Sequence, residues 1–295
     1  MQIIRQTYST LTRWLQPAEK QTPFALTPRH RKRFLVNQTH KILYCPIEKN
    51  SCTFFKRLLL LQSPFADLFL ASELDPHNFL KQTGLMRPET VDPFIHDDYL
   101  RFVVVREPIG RIVSAYMNKF VRSRRYKVAL KLTESYRQQM GQPYDEGQLL
   151  TFSEFVRHIS QQNDSNMDVH WRPQSDFVRN EIDLFQYKVT LEKIPAFTAV
   201  LSRRMGIELD ASKTANQNHY GSYSNDLDLH LTAPEDLRKL EYVPDTKSLV
   251  TPELMEILNS RYSKDIELYH ACAQSDWPAS SLEASSRESK TTDQS

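Results

Sequence analysis

Two polar turns of this sequence follow short apolar runs and carry side chains of the kind that bind anions. The first turn, residues 48–53, contains Lys49, two hydroxyl side chains and a row of backbone N–H groups at the start of a predicted helix. The second begins with Arg106, and Ser114 follows after about two helical turns, on the same side of a helix. An arginine and a hydroxyl together can clamp a phosphate. The turns therefore predict two phosphate or sulfate subsites.

The elements that must hold these turns alternate between strands and helices. Three apolar segments are predicted to be strands: residues 41–46, 99–105 and 184–189. The second is continuous enough to be buried on both faces of a sheet. Helices follow the first two strands, and this alternation implies an α/β fold with a central parallel sheet flanked by helices. Ligands of such sheets bind at the carboxyl ends of the strands, where both polar turns lie.

Helical periodicity supports this arrangement. Thr53 is the expected N-cap of a helix over residues 54–62. The next helix has Pro108 in its first turn and a continuous apolar stripe. The stripe consists of Ile109, Ile112, Val113, Tyr116, Met117 and Phe120. Residues 252–273 are predicted to form one final helix. The charged run at residues 122–150 is interpreted as a solvated helix face, and the alternative is a basic rim for an acidic or sulfated substrate.

The composition narrows the function classes. A formal net charge of +2 over 295 residues is too balanced for a protein whose whole surface binds nucleic acid. With 6 Gly and no Gly-rich phosphate loop, ATP hydrolysis and hydride transfer are disfavoured. The 3 Cys lack metal-type spacing and favour a reducing compartment, which predicts a cytoplasmic protein. The acidic cluster beside His96 is interpreted as a solvated turn, so no metal is expected.

The chain is predicted to divide into an N-terminal arm (1–28), one main domain (29–275) and a disordered tail (276–295). The tail has too few apolar residues for their burial to offset the entropy lost on ordering. The longest apolar runs of the chain are far shorter than the roughly 20 residues that a membrane span requires. No transmembrane segment is therefore expected, while peripheral membrane contact and the oligomeric state are left open.

The two polar turns resemble the cofactor motifs of a known family. Residues 44–57 are similar to the 5′-phosphosulfate loop of the carbohydrate sulfotransferases, in the branch that contains the chondroitin and HNK-1 enzymes. Residues 99–120 resemble that family's 3′-phosphate motif nearly residue for residue. Weaker matches at residues 170–174, 188–192 and 262–265 follow in the family's order. The resemblance covers roughly residues 40–272 and is to a bacterial-type member without a membrane anchor.

The resemblance implies a P-loop-like three-layer α/β fold with a helical insertion. It implies transfer of a sulfuryl group from 3′-phosphoadenosine 5′-phosphosulfate (PAPS), the co-substrate, to a hydroxyl of a carbohydrate acceptor, without a metal. By motif position Lys49 would stabilise the leaving oxygen, and Arg106 and Ser114 would hold the 3′-phosphate. The 5′-phosphosulfate would be bound by Lys49, Asn50, Ser51, Cys52, Thr53 and Phe54.

The acceptor hydroxyl needs a base, and a histidine with a pKa of about 6.5 suits that role at neutral pH. His77 lies between the two phosphate motifs, where related glycan sulfotransferases place a base, and is the preferred candidate. His170 is the rival, although its neighbour Trp171 is equally typical of a packed, structural ring. A carboxylate such as Glu48 or Glu107 is the third choice.

Three residues depart from the family pattern. Glu48 stands in place of a Pro, Ser51 in place of a Gly or Ala, and Phe55 in place of a Trp. Glu48 and Ser51 motivate a second hypothesis, a non-catalytic glycan- or nucleotide-binding protein on the same fold. Retention of Lys49, Arg106 and Ser114 argues against it. A kinase using ATP is the weakest alternative because the Gly-rich loop is missing.

Overall fold

The computed structural model describes residues 33–88, 98–123, 126–145, 147–210, 220–221, 223 and 227–277. The side chains of 179–181 and 220 are outside this description. The predicted arm at 1–28 and residues 278–295 of the predicted tail lie outside the described residues, as do His96 and Asp97. The predicted domain boundaries therefore stay predictions.

A four-stranded sheet forms the centre of the molecule. Its strands, in spatial order, are β1 (Leu35–Asn37), β2 (Ile42–Cys45), β3 (Leu100–Val105) and β4 (Tyr187–Thr190). β2, β3 and β4 are parallel, and β1 pairs antiparallel with β2 at one edge. The predicted parallel sheet is confirmed for three strands, and the structure adds the antiparallel edge strand. The last strand begins at Tyr187, because a 3₁₀-helix over Arg179–Leu184 occupies the start of the expected segment.

Twelve α-helices accompany the sheet in the described part of the chain. They are α1 (Cys52–Leu61), α2 (Ala66–Ala71), α3 (Pro76–Thr83), α4 (Pro108–Tyr116), α5 (Lys127–Gln139), α6 (Phe152–Ser160), α7 (Ser175–Val178), α8 (Ile194–Met205), α9 (Pro234–Leu237), α10 (Thr246–Leu249), α11 (Pro252–Arg261) and α12 (Ser263–Gln274). A π-helix over Met117–Arg122 continues α4. Two short strands, β5 (Tyr220–Gly221) and β6 (Val243–Pro244), pair in parallel apart from the main sheet.

The sheet separates two apolar layers, which accounts for the continuous apolar run of β3. Phe102 and Val104 pack with side chains of α1 and α8 on one face. Val103 points to the other face and packs with Phe177 and Leu184. A third apolar cluster lies between α4, α6 and α11 around Trp171, which is fully buried. These layers confirm the predicted α/β fold with helices on both faces of the sheet.

The stripe predicted for α4 is confirmed, since all six of its apolar side chains are buried. Two other predictions are wrong in detail. Thr53 is not the N-cap of α1; the helix begins at Cys52, two residues earlier than predicted, and its N-cap is Ser51. The final helix is two helices, α11 and α12, which break at Tyr262. The break lets the Tyr262 hydroxyl donate a hydrogen bond to the Trp171 carbonyl oxygen at 2.6 Å.

Candidate active site

The turn after β2 has a strained backbone. The N–H of Asn50 donates to the carbonyl oxygen of Ile47 at 3.3 Å and closes a four-residue turn. Its third residue, Lys49, has a φ of 73°, as in a type II turn, where glycine or asparagine is preferred. Ser51 follows with a φ of 56°. Each such residue costs roughly 1 to 2 kcal/mol, and strain of this kind is retained where surrounding contacts impose it, often at functional sites.

A buried asparagine imposes that conformation. Asn50 is fully buried and its side-chain Nδ2 donates to the carbonyl oxygen of Val104 at 2.9 Å and to Oε1 of Gln174 at 2.6 Å. The side chain of Asn50 thus points away from the space above the turn and connects the turn to the end of β3. Because the Nδ2 donor is occupied and an amide oxygen does not bind an anion, the predicted contribution of Asn50 to anion binding reduces to its backbone.

A buried arginine connects the same turn to the His170 segment. Arg111 on α4 is fully buried, and its guanidinium donates to three carbonyl oxygens. These belong to Glu48 at 3.0 Å, Arg172 at 2.8 Å and Val169 at 3.1 Å. Since the three acceptors come from two chain segments, Arg111 fixes the position of the Lys49 turn relative to His170.

The second polar turn, which begins with Arg106, is next to the first. The Arg106 guanidinium donates to the Lys49 carbonyl oxygen at 3.2 Å, so the two polar turns are in contact. Ser114 is partly buried on α4. The carboxylate of Glu107 caps α4 by accepting from the N–H groups of Ile109 and Gly110, at 2.8 and 2.6 Å. Glu107 is therefore committed to the helix and is a poor candidate for the base.

The site is electrostatically positive. Burial, together with the nearby charges of Arg106 and Lys119, lowers the pKa of Lys49 to about 8. Lys119 lies on the π-helix, with its Nζ 4.2 Å from the centre of the Tyr126 ring. Burial also lowers the pKa of Lys119. Several cations held together with partial loss of solvent are stabilised by binding an anion.

His77 lies beside the first subsite with both ring nitrogens occupied. Lys56 Nζ is 3.0 Å from Nδ1, and Thr53 Oγ1 is 2.9 Å from Nε2. An ammonium group can only donate, so Nδ1 accepts and Nε2 carries the proton that it donates to Thr53. Burial and the Lys56 charge lower the pKa of His77 to about 4. The ring is neutral and its one lone pair faces Lys56.

His170 has the opposite arrangement. Its Nδ1 is 2.5 Å from Oδ1 of Asp168, which fixes the Nδ1–H tautomer and leaves Nε2 as an acceptor. The Tyr126 hydroxyl donates to the other carboxylate oxygen of Asp168 at 3.0 Å. Burial lowers the pKa of His170, and Asp168 opposes that effect. The ring is therefore oriented and neutral at pH 7. Sequence reasoning missed Asp168 and Tyr126; the acid two residues before His170 was the available signal, whereas Tyr126 is 44 positions away.

The remaining predicted cofactor residues lie at the start of α1. Cys52 is a buried free thiol, 3.9 Å from Nε2 of His77, and burial raises its pKa. Phe54 is partly buried and packs edge-on against Phe55, with ring centres 5.0 Å apart. Phe55, which stands where the family pattern has Trp, is fully buried in the core. The presence of Phe rather than Trp at this position therefore changes the packing of the core beneath the turn.

The described residues contain no group of three or more side chains suited to hold a metal ion. Among the helices in the described ranges, none is both long and apolar enough to cross a bilayer.

Together the fold and the site define an α/β protein in which two polar turns, carrying Lys49 and Arg106, meet at the carboxyl ends of two neighbouring parallel strands. The chain belongs to the sulfotransferase family, whose model matches residues 32–270. This confirms the resemblance found in the motifs.

Curated relatives share about a third of the aligned residues. Carbohydrate sulfotransferase 14 of Danio rerio is 32% identical over 160 residues, which is 51% of this chain and 43% of that protein. The Homo sapiens protein of the same name is 30% identical over 165 residues, covering 54% and 43%. Carbohydrate sulfotransferase 8 of Homo sapiens is 29% identical over 156 residues, covering 50% and 36%. The aligned part thus spans less than half the length of these relatives. No solved structure matches the chain significantly.

Proposed function

We propose that this protein transfers a sulfuryl group from PAPS to a hydroxyl of a carbohydrate acceptor. Family membership and the names of its relatives support a carbohydrate sulfotransferase. The observation that carries the proposal is the contact between the strained Lys49 turn and Arg106, which brings the two anion subsites together. A donor with a phosphosulfate and a separate 3′-phosphate requires two such subsites.

The 5′-phosphosulfate lies at the N-terminus of α1 in this proposal. The ten-residue helix directs its first backbone N–H groups, from Ser51 to Phe54, towards the ligand. Thr53 is exposed and adds a hydroxyl, although in the free protein that hydroxyl is paired with His77. Arg106 and Ser114 hold the 3′-phosphate. Lys49 neutralises the charge that grows on the leaving phosphate oxygen as the bond from sulfur to that oxygen breaks.

The proton of the acceptor goes to His170 in this proposal. The acceptor oxygen attacks sulfur, its proton transfers to His170 Nε2, and 3′-phosphoadenosine 5′-phosphate (PAP) leaves with the electron pair of the broken bond. Asp168 holds the ring and stabilises the imidazolium that forms. His77, the candidate preferred from sequence, is less suited because Lys56 occupies its lone pair. Its contacts suit it to position Thr53.

The proposed displacement depends on positioning and electrostatics, so it needs no metal. The acceptor remains a carbohydrate of unspecified type, and nucleic acid is not a partner. Three buried free thiols are compatible with the cytoplasmic location that the cysteine content favours.

The test is transfer of radioactive sulfate from labelled PAPS to a mixture of oligosaccharides. We expect labelled oligosaccharide with the wild-type protein and with Lys81→Met, an exposed control on α3. We expect Lys49→Met to lose at least a hundredfold in rate, since removing one charge-stabilising donor has an effect of about this size. Equal turnover by Lys49→Met and wild type would contradict the proposed role of Lys49. Absence of transfer despite PAP binding would favour a non-catalytic binding protein.

A further inference from the structure

Glu48 has no role in the mechanism above, yet it lies in the middle of the site. It is the second residue of the turn that ends at Asn50, directly before Lys49. Its backbone oxygen accepts from Arg111 at 3.0 Å, so its position is fixed relative to α4. One side-chain oxygen, Oε2, is buried and has no hydrogen-bond partner among the described residues. The residue as a whole is partly exposed.

An unpartnered buried carboxylate oxygen is costly, because it has lost water without gaining a donor. The cost is retained where a ligand supplies the donor. Asp168, another carboxylate of the site, shows the contrast, since both of its oxygens are paired, one with His170 and one with Tyr126. Glu48 thus differs from Asp168 in having a carboxylate oxygen that no donor satisfies in the described structure.

The carboxylate of Glu48 is close enough to both histidines to affect them electrostatically. Its charge raises the pKa of His77, of His170 and of Lys119, so its carboxylate is within electrostatic range of all three. The donor's phosphates and sulfate belong with the cations of the two subsites, and a carboxylate repels them. Only a hydrogen-bond donor is a favourable partner for Glu48, and the acceptor sugar brings hydroxyl groups to this space.

We propose that Glu48 accepts a hydrogen bond from a hydroxyl or amino group of the acceptor sugar and discriminates against acceptors that are acidic next to the reacting hydroxyl. The inference rests on the proposed function and names its acceptor class: sugars that are neutral or amine-bearing at this point. A uronate or a sulfate there would meet the Glu48 carboxylate at close range, and like charges so placed weaken binding strongly.

Two substitutions separate charge from backbone shape. Glu48→Gln keeps the size and one acceptor oxygen but removes the charge. Glu48→Pro removes the side chain and suits the turn, because Pro is common at the second position of a type II turn. Glu256→Gln, on the exposed face of α11, is the control for loss of one negative charge elsewhere.

The probes are an unsulfated chondroitin oligosaccharide and the same oligosaccharide with its carboxyl groups reduced to alcohols, which differ only in charge. We expect wild type and Glu256→Gln to prefer the reduced form in kcat/KM. In Glu48→Gln and Glu48→Pro the preference should fall about tenfold, chiefly through KM for the acidic form. An unchanged preference would overturn the proposal. Equal loss of kcat on both probes would also overturn it, because Glu48 would then be the base.

Failure of the proposed function is recognisable separately. If wild type transfers sulfate to neither oligosaccharide, the affinity of the protein–PAP complex for each one, measured by calorimetry, replaces kcat/KM. A preference for the reduced form that Glu48→Gln abolishes would support the role of Glu48 even then. Equal affinity of wild type for both forms would overturn it.

Discussion

The side-chain amide of Gln174 pairs with both backbone polar groups of Arg106. Its Nε2 donates to the Arg106 carbonyl oxygen at 2.8 Å, and its Oε1 accepts from the Arg106 N–H at 3.0 Å. The same Oε1 also accepts from Asn50 at 2.6 Å. A single fully buried amide therefore joins the ends of the two strands that carry the two subsites.

Replacing this amide with an apolar side chain of similar size should therefore damage both stability and donor binding. Gln174→Met removes the side-chain partners of the Arg106 backbone and one of the two acceptors of Asn50 Nδ2, and we expect a loss of roughly 1 to 3 kcal/mol in the free energy of unfolding. Urea denaturation measures it, with the exposed Gln138→Met as the matched control. The affinity for PAP should fall as well, since Arg106 loses its support. A variant as stable as the control would contradict this account.

Relief of backbone strain at Ser51 should stabilise the protein. Ser51 has a φ of 56°, which glycine adopts without the Cβ penalty. We expect Ser51→Gly to raise the free energy of unfolding by up to about 1 kcal/mol, since part of the gain is offset by the greater freedom of glycine in the unfolded chain. Ser51→Val should lower it. A destabilising Gly substitution in urea denaturation would show that the Ser51 side chain contributes more than the strain costs.

Donor binding should take up a proton at alkaline pH. The pKa of Lys49 is lowered to about 8, so near pH 8.5 much of the free protein carries a neutral Lys49. A bound phosphate favours the charged form and raises that pKa. We expect affinity for PAP to be constant below pH 8 and to fall above it. Calorimetry at pH 8.5 in two buffers of different ionisation enthalpy measures the uptake, and Lys49→Met should abolish it. Uptake that persists in this variant would assign the proton to another group.

The same lowered pKa has a consequence for stability. An ordinary lysine has a pKa of about 10.4 in an unfolded chain, so between pH 8 and 10.4 the unfolded state binds more protons than the folded one. Lys49 therefore contributes a penalty that is full below pH 8 and disappears as the pH rises through this window. We expect Lys49→Met to unfold at higher urea concentration than wild type at pH 7, with the difference shrinking towards pH 10. A less stable Lys49→Met at pH 7 would contradict the buried charge as the cause.

The choice between the two histidines can be tested through Asp168. Asp168→Asn removes the charge that fixes the His170 tautomer, and we expect kcat to fall by roughly 10² to 10⁴ while PAP affinity is unchanged. His77→Gln should cost less than about tenfold, as expected of a positioning residue. A larger loss in His77→Gln than in Asp168→Asn would restore His77 as the base.

The pH profile adds to that test. Burial lowers the pKa of His170 below its ordinary value, so the neutral ring persists to a lower pH. Activity should stay level as the pH falls through 6.5 and decline only below it. A rate that already halves near or above pH 6.5 would contradict His170 as the base.

The periodic parts of the fold could be predicted from the sequence, because local patterns determine them. The continuous apolar run of β3 indicated burial on both faces, and the stripe of α4 marked its buried side. The two polar turns could be located for the same reason, since each directly follows such a strand.

The rest depends on contacts between distant positions, which no local pattern encodes. Gln174 and Arg106 are 68 positions apart, and Asp265, which accepts from the backbone N–H of Gln174, is 91 positions from it. The apolar stripe of α4 continues through the π-helix that follows, so the periodicity of the sequence did not reveal the π-helix. The π-helix carries Lys119, whose ammonium group lies against the Tyr126 ring. The preference between His77 and His170 depends on which nitrogen each neighbour occupies, and this is a property of the folded site.

Calorimetric titration with PAP, beside a parallel titration with ATP and magnesium, tests the central claim most directly. The account predicts that the protein binds PAP and that Arg106→Ala, which loses the guanidinium at the 3′-phosphate subsite, binds it at least tenfold more weakly. Binding of ATP with magnesium but not of PAP would contradict the proposed donor and would point to a phosphotransferase.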